Sequence, residues 1–76
     1  MTAEILRMWV ITREPRDLPG VAFAARLWEI GPGHSKPTPA LLTGSDLDSI
    51  RACLPGGLYR LNRFDGDDPA IVEVWL

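Results

Sequence analysis

The sequence predicts an α+β domain: a four-stranded, mainly antiparallel sheet with one helix packed on one face, in the order β-β-α-β-β. Three observations predict it. Four stretches carry β-branched, aromatic and aliphatic residues at period two, the spacing at which strand side chains alternate between faces. One stretch carries Leu47, Ile50 and Leu54 at helical spacing behind a capping residue. Segments rich in Pro, Gly and Asp separate these stretches and act as turns or loops.

Ile5 to Arg13 reads as the first strand, with Leu6, Met8 and Val10 on one face and Ile5, Arg7, Trp9, Ile11 and Arg13 on the other. Glu14-Pro15-Arg16-Asp17-Leu18-Pro19-Gly20 is the turn after it: its prolines withhold ladder donors and Gly20 accepts positive φ. Val21 to Ile30 is the second strand. It sets Val21, Phe23, Ala25 and Leu27 against Ala22, Ala24, Arg26, Trp28 and Ile30, and its alanines leave room for a bulky group to approach. Residues 31–39 are expected to be a loop, because Pro and Gly are too frequent for a regular element; Ala40 to Thr43 is expected to pair briefly.

Ser45 is the expected N-cap of the helix, with Asp48 at the return position of a capping box. Asp46 and Asp48 early and Arg51 late suit the helix dipole. Cys53 borders the apolar stripe, where a cysteine acts as a small buried hydrophobe. Pro55-Gly56-Gly57 stops the helix after about three turns. Leu58 to Phe64 is the third strand, Asp65-Gly66 supplies a hairpin turn, and Ile71 to Leu76 is the fourth. An apolar final stretch with no polar tail is expected to be tied into the sheet, pairing with the first strand at its centre.

Seventy-six residues form one domain, 1–76, near the size at which a single core barely outweighs chain entropy; self-association is then one route to extra stability. The net charge of −2 does not advertise an anionic partner. One cysteine excludes an internal disulfide and a Cys-based zinc site, and fits a reducing compartment. No apolar run approaches the ~20 residues of a membrane span, and Met1-Thr2-Ala3-Glu4 lacks the form of a signal peptide, so a cytoplasmic location is expected.

One helix covers one face of a four-stranded sheet and leaves the other. Placing Leu6, Met8, Val10, Phe23, Leu27, Tyr59, Leu61, Val72, Val74 and Leu76 under the helix leaves Arg7, Trp9, Arg26, Trp28, Arg60, Asn62, Glu73 and Trp75 on the far side. On this reading all three tryptophans form one cluster there. Trp and Arg are enriched where binding energy concentrates. Arg stacked on Trp, with Glu73 pairing Arg7 or Arg26, would also make a self-contained ladder. Two functions use such a face: contact with a protein or a second copy, or stacking of single-stranded nucleic acid with help from Arg60 and Arg63. The net negative charge counts against the second.

Other chemistry is weak. Asp65, Asp67 and Asp68 lack the ligand spacing of a calcium loop, and Gly31-Pro32-Gly33 has no following helix with which to cradle a phosphate. His34 and Cys53 are the one Cys–His combination, with no third group to activate it. No enzyme activity, metal or cofactor is expected.

Trp9-Val10-Ile11, residues 13–20, Arg26-Leu27-Trp28, Pro37-Thr38, Leu54-Pro55-Gly56-Gly57-Leu58 and residues 68–76 resemble those of a group of short bacterial proteins of unknown function. The resemblance spans most of the chain. It implies a complete protein and brings no activity, ligand or site residues.

Overall fold

The computed structural model describes residues 5–62 and 69–76. It is an α+β fold with one antiparallel sheet and one helix, and among the described residues the sheet has five strands. They are β1 (Leu6–Arg13), β2 (Phe23–Gly31), β3 (His34–Gly44), β4 (Arg60–Asn62) and β5 (Ile71–Trp75), with α1 (Leu47–Cys53) between β3 and β4. Their spatial order is β3-β2-β1-β5-β4. The first and last strands pair in the middle of the sheet, as the apolar C-terminal stretch leads one to expect.

The added strand is β3: a loop was expected over residues 31–39, and the brief pairing expected from Ala40 to Thr43 is the second half of one continuous strand. Gly31 pairs with His34 across Pro32-Gly33, and Gly33 has φ +73°. Pro-Gly is the pair that a type II turn favours, so the glycines and proline close a hairpin instead of breaking the structure. Pro37 and Pro39 are tolerated because β3 is an edge strand and its register with β2 shifts between Arg26 and Trp28.

The helix has seven residues, about two turns, and is shorter than its apolar stripe implies. Asp46, not Ser45, is its N-cap: the carboxylate accepts from the Ser49 backbone N–H at 2.7 Å. Leu54 leaves the helix with extended backbone, the conformation imposed on a residue that precedes proline. Leu47, Ile50 and Leu54 nevertheless reach the core as their spacing requires. Cys53 does not, and is exposed.

The core is small. Ile11, Ala25 and Ile50 are its buried centre, with Trp9, Phe23, Leu42, Leu47, Leu54, Val72 and Trp75 packed around them. Gly44 lets the helix sit close to the sheet, since a Cβ there would lie 2.8 Å from Ile50 Cγ1. The Asp65-Gly66 turn and the acidic cluster of Asp65, Asp67 and Asp68 lie outside the described residues.

Candidate functional site

The cross-strand register decides which residues share a face. Trp9 stands opposite Leu27 on one side and Trp75 on the other, and Ile11 opposite Ala25 and Glu73. Directly paired residues project to the same face. Trp9, Ile11, Ala25, Glu73 and Trp75 therefore all lie on the side that the helix covers. Trp28 stands opposite Met8, on the other side. The three tryptophans do not form one cluster: two belong to the core and one to the open face.

The alternation within each strand holds; the relative phase of β1 and β2 is reversed from expectation. Leu6, Met8, Val10, Leu61 and Val74 face away from the helix, while Phe23, Leu27 and Val72 face it. The seven residues of α1 span about 10 Å, too little to cover five strands, and the broad rings of Trp9 and Trp75 extend the apolar layer where the helix stops. Val72 and Glu73 both reach the helix side because Val72 is the extra residue of a bulge: Ile11 pairs with Glu73, and Thr12 with Ile71. Tyr59, expected in the core, is 77% exposed, and Leu61 is exposed on the open face.

Glu73 is the one buried charged residue among those described, at 4% exposure. It pairs with neither Arg7 nor Arg26. Arg51 of the helix grips it at two points, Nε to Oε1 at 2.7 Å and Nη2 to Oε2 at 2.9 Å, and Arg60 Nη1 lies 3.8 Å from Oε2. The Arg51 hydrogen bonds hold the carboxyl below the ordinary carboxylate range, against the opposing effect of burial; the Trp75 indole and Arg60 act in the same sense as Arg51. The Trp75 Nε1 is itself buried and outside hydrogen-bond geometry with any described acceptor. This cluster is a structural clasp between helix and sheet.

The open face is different in character. Met8 and Val10 of β1, Ala24, Trp28 and Ile30 of β2, and Leu41 of β3 line a groove of about 870 Å³. The 14–20 loop walls one end through Pro15, Arg16, Asp17 and Leu18. That loop is shaped by Glu14 at φ +45° and Gly20 at φ +84°, and Glu14 N donates to Ala22 O at 2.8 Å. Arg26 lies in the groove and is engaged within the chain: Nη2 donates to Asp17 Oδ2 at 3.3 Å and Nη1 to Thr38 O at 3.1 Å.

Of the residues expected to bind, Arg26 and Trp28 stand on this open face. Trp9 and Trp75 are core packing, Arg60 reaches Glu73 on the helix side, and Arg7 stands across from Glu29 at the exposed end of β1. Of the groove residues, sequence reasoning assigned Met8 and Val10 to the core and Leu41 to a short pairing segment without a face; their apolar character carries no label of face. No cluster of His, Cys, Asp and Glu suited to a metal ion occurs among the described residues, and no helix there is long and apolar enough to cross a membrane. No protein-family model, curated protein or solved structure matches the chain.

Proposed function

We propose that this chain is a small non-enzymatic protein-interaction module that makes its contact through the sheet face opposite the helix. The observation that carries this reading is the apolar groove over β1 and β2, with Trp28 at one strand and Arg26 beside it. Soluble monomers rarely leave a contiguous apolar sheet face bare, and such faces mark contact sites. Trp and Arg are the anchors that dominate such contacts. The groove is lined chiefly by hydrocarbon, a surface suited to burial against another polypeptide. The lone cysteine, on the helix side, fits a reducing, cytoplasmic setting.

Nucleic acid is the weaker partner. Stacking along a strand needs several aromatic platforms and free cations. Of the tryptophans only Trp28 faces the groove, and its Arg26 is already paired with Asp17; Arg63 lies outside the described residues.

A photo-crosslinking residue placed at position 28 or 10 in living cells tests the reading. Crosslinks to polypeptide from these positions, and none from position 53 on the opposite side, are expected. Crosslinks from position 53 alone, or to nucleic acid, would reject it.

A further inference from the structure

We infer that residues 14–20 form a flap over one end of the open face, latched shut by the Asp17–Arg26 ion pair and hinged at Glu14 and Gly20. The flap governs access to the face, and for that role it rests on the interaction reading above. Its test reads the loop itself, so either can fail alone.

The base of the flap is fixed. Arg13 N donates to Ala70 O and Glu14 N to Ala22 O, both at 2.8 Å, and the second bond closes the hairpin between β1 and β2. Beyond it the chain turns at two residues in the left-handed region, Glu14 at φ +45° and Gly20 at φ +84°. Gly20 adopts this conformation without steric cost. Apart from its chain neighbours, no described heavy atom lies within 4 Å of where a Cβ would stand, so the pivot has room. Glu14 is different. A non-glycine residue in this region is strained, and it stays there only where its surroundings hold it.

Asp17 is the part of the loop that supplies the hold. Among the described residues, the one side-chain bond from the loop to the sheet is Asp17 Oδ2 accepting from Arg26 Nη2 at 3.3 Å. The other arm of the guanidinium, Nη1, donates to Thr38 O at 3.1 Å, so Arg26 stays anchored to β3 when Asp17 lets go. Pro15 and Leu18 are half-buried and line the groove, whereas Glu14, Arg16 and Asp17 are exposed. Two apolar side chains make a thin underside. The ion pair, with side chains 30% and 65% exposed, is open to solvent ions, and such pairs are weak and screened by salt. A strained hinge thus works against a weak latch. Release bares one end of the apolar face and frees one arm of Arg26 in the same movement.

Hydrogen exchange of the full chain, followed by NMR amide by amide, tests the inference. Val21 N donates to Leu18 O at 3.2 Å across the Gly20 hinge, whereas the Glu14 N bond to Ala22 O lies on the fixed side of both hinges. Opening therefore speeds exchange at Val21 and spares Glu14. Asp17→Asn should raise the Val21 rate about two- to fivefold, the ratio that an exposed ion pair controls. Salt at about 1 M, where the Debye length falls to about 3 Å, should do the same to the wild type and little to Asp17→Asn. Glu14→Asn should slow Val21, because asparagine tolerates the left-handed region and relieves the closed state of strain. An unchanged Val21 rate in Asp17→Asn overturns the latch. Val21 and Glu14 rising together show the whole hairpin fraying, and overturn the flap. A faster Val21 in Glu14→Asn overturns the strained hinge. Should Asp17→Asn fail to fold, the response of wild-type Val21 to salt decides by itself. A flap that fails these tests leaves the crosslinking outcome of the interaction reading untouched.

Discussion

Arg51 and Glu73, 22 residues apart in sequence, meet in a two-point ion pair that fastens the helix to β5. Both Glu73 oxygens are held, so geometry and charge are satisfied together. Breaking such a pair from one side is worse than removing it whole. Arg51→Ala should lower the Tm more than the double change Arg51→Ala with Glu73→Leu, since only the single variant strands a buried carboxylate. Thermal unfolding followed by circular dichroism reads the order; equal losses would show that the pair is not coupled.

The same carboxylate makes stability acid-sensitive. Its pKa is lowered in the fold by the Arg51 hydrogen bonds. Its contribution is therefore complete above the unfolded value of about 4.3, and is lost as pH falls below it through the folded value. Asp46 has the same sign, lowered first by the Ser49 backbone N–H and then by the Ser49 side chain. Tm measured against pH should drop on the acid side, and Glu73→Gln should flatten part of that drop, leaving the share due to Asp46.

Gly44 is required for space. A methyl group there would press on Ile50 Cγ1 at 2.8 Å. Gly44→Ala should destabilise by about 1–3 kcal/mol, the usual cost of overpacking, and Ile50→Val should recover part of it. A double-mutant cycle from urea titrations measures the coupling.

Ile50 is the one residue that α1 buries fully, in contact with Ile11 and Ala25. Ile50→Ala should cost about 2–5 kcal/mol. A core of this size supplies only about 3–5 kcal/mol, so a large unfolded fraction at room temperature is expected in the same titrations.

Deleting residues 71–76 should abolish cooperative unfolding. β5 joins β1 to β4 and supplies Glu73 to the helix, so its loss separates β4 from the sheet and unclasps α1. A normal sigmoidal transition in the truncated chain would contradict the central place of β5.

Much of the fold is legible in the residues. The helical stripe, the two long N-terminal strands and the pairing of the first strand with the last follow from periodicity and from an apolar C-terminal stretch. The phase between β1 and β2 does not. Both faces of β1 are apolar, Trp9 and Ile11 on one and Met8 and Val10 on the other, so alternation alone leaves either set free to face the helix. A face-defining fact comes from a partner far away in sequence: Arg51 attracts Glu73, and Glu73 brings Ile11 and Trp75 to its own side. β3 escapes for another reason. Proline is read as a breaker, yet at an edge beside a register shift it breaks nothing.

Pro37 and Pro39 also have a consequence for assembly. The long β3 is the strand best able to recruit a new strand from another molecule, and two of its eleven residues offer no N–H. The opposite edge, β4, is three residues long among the described residues. Growth sideways into a ribbon is thus discouraged at both margins. Such margins keep the sheet from lengthening strand by strand, where an unguarded edge would seed a fibre.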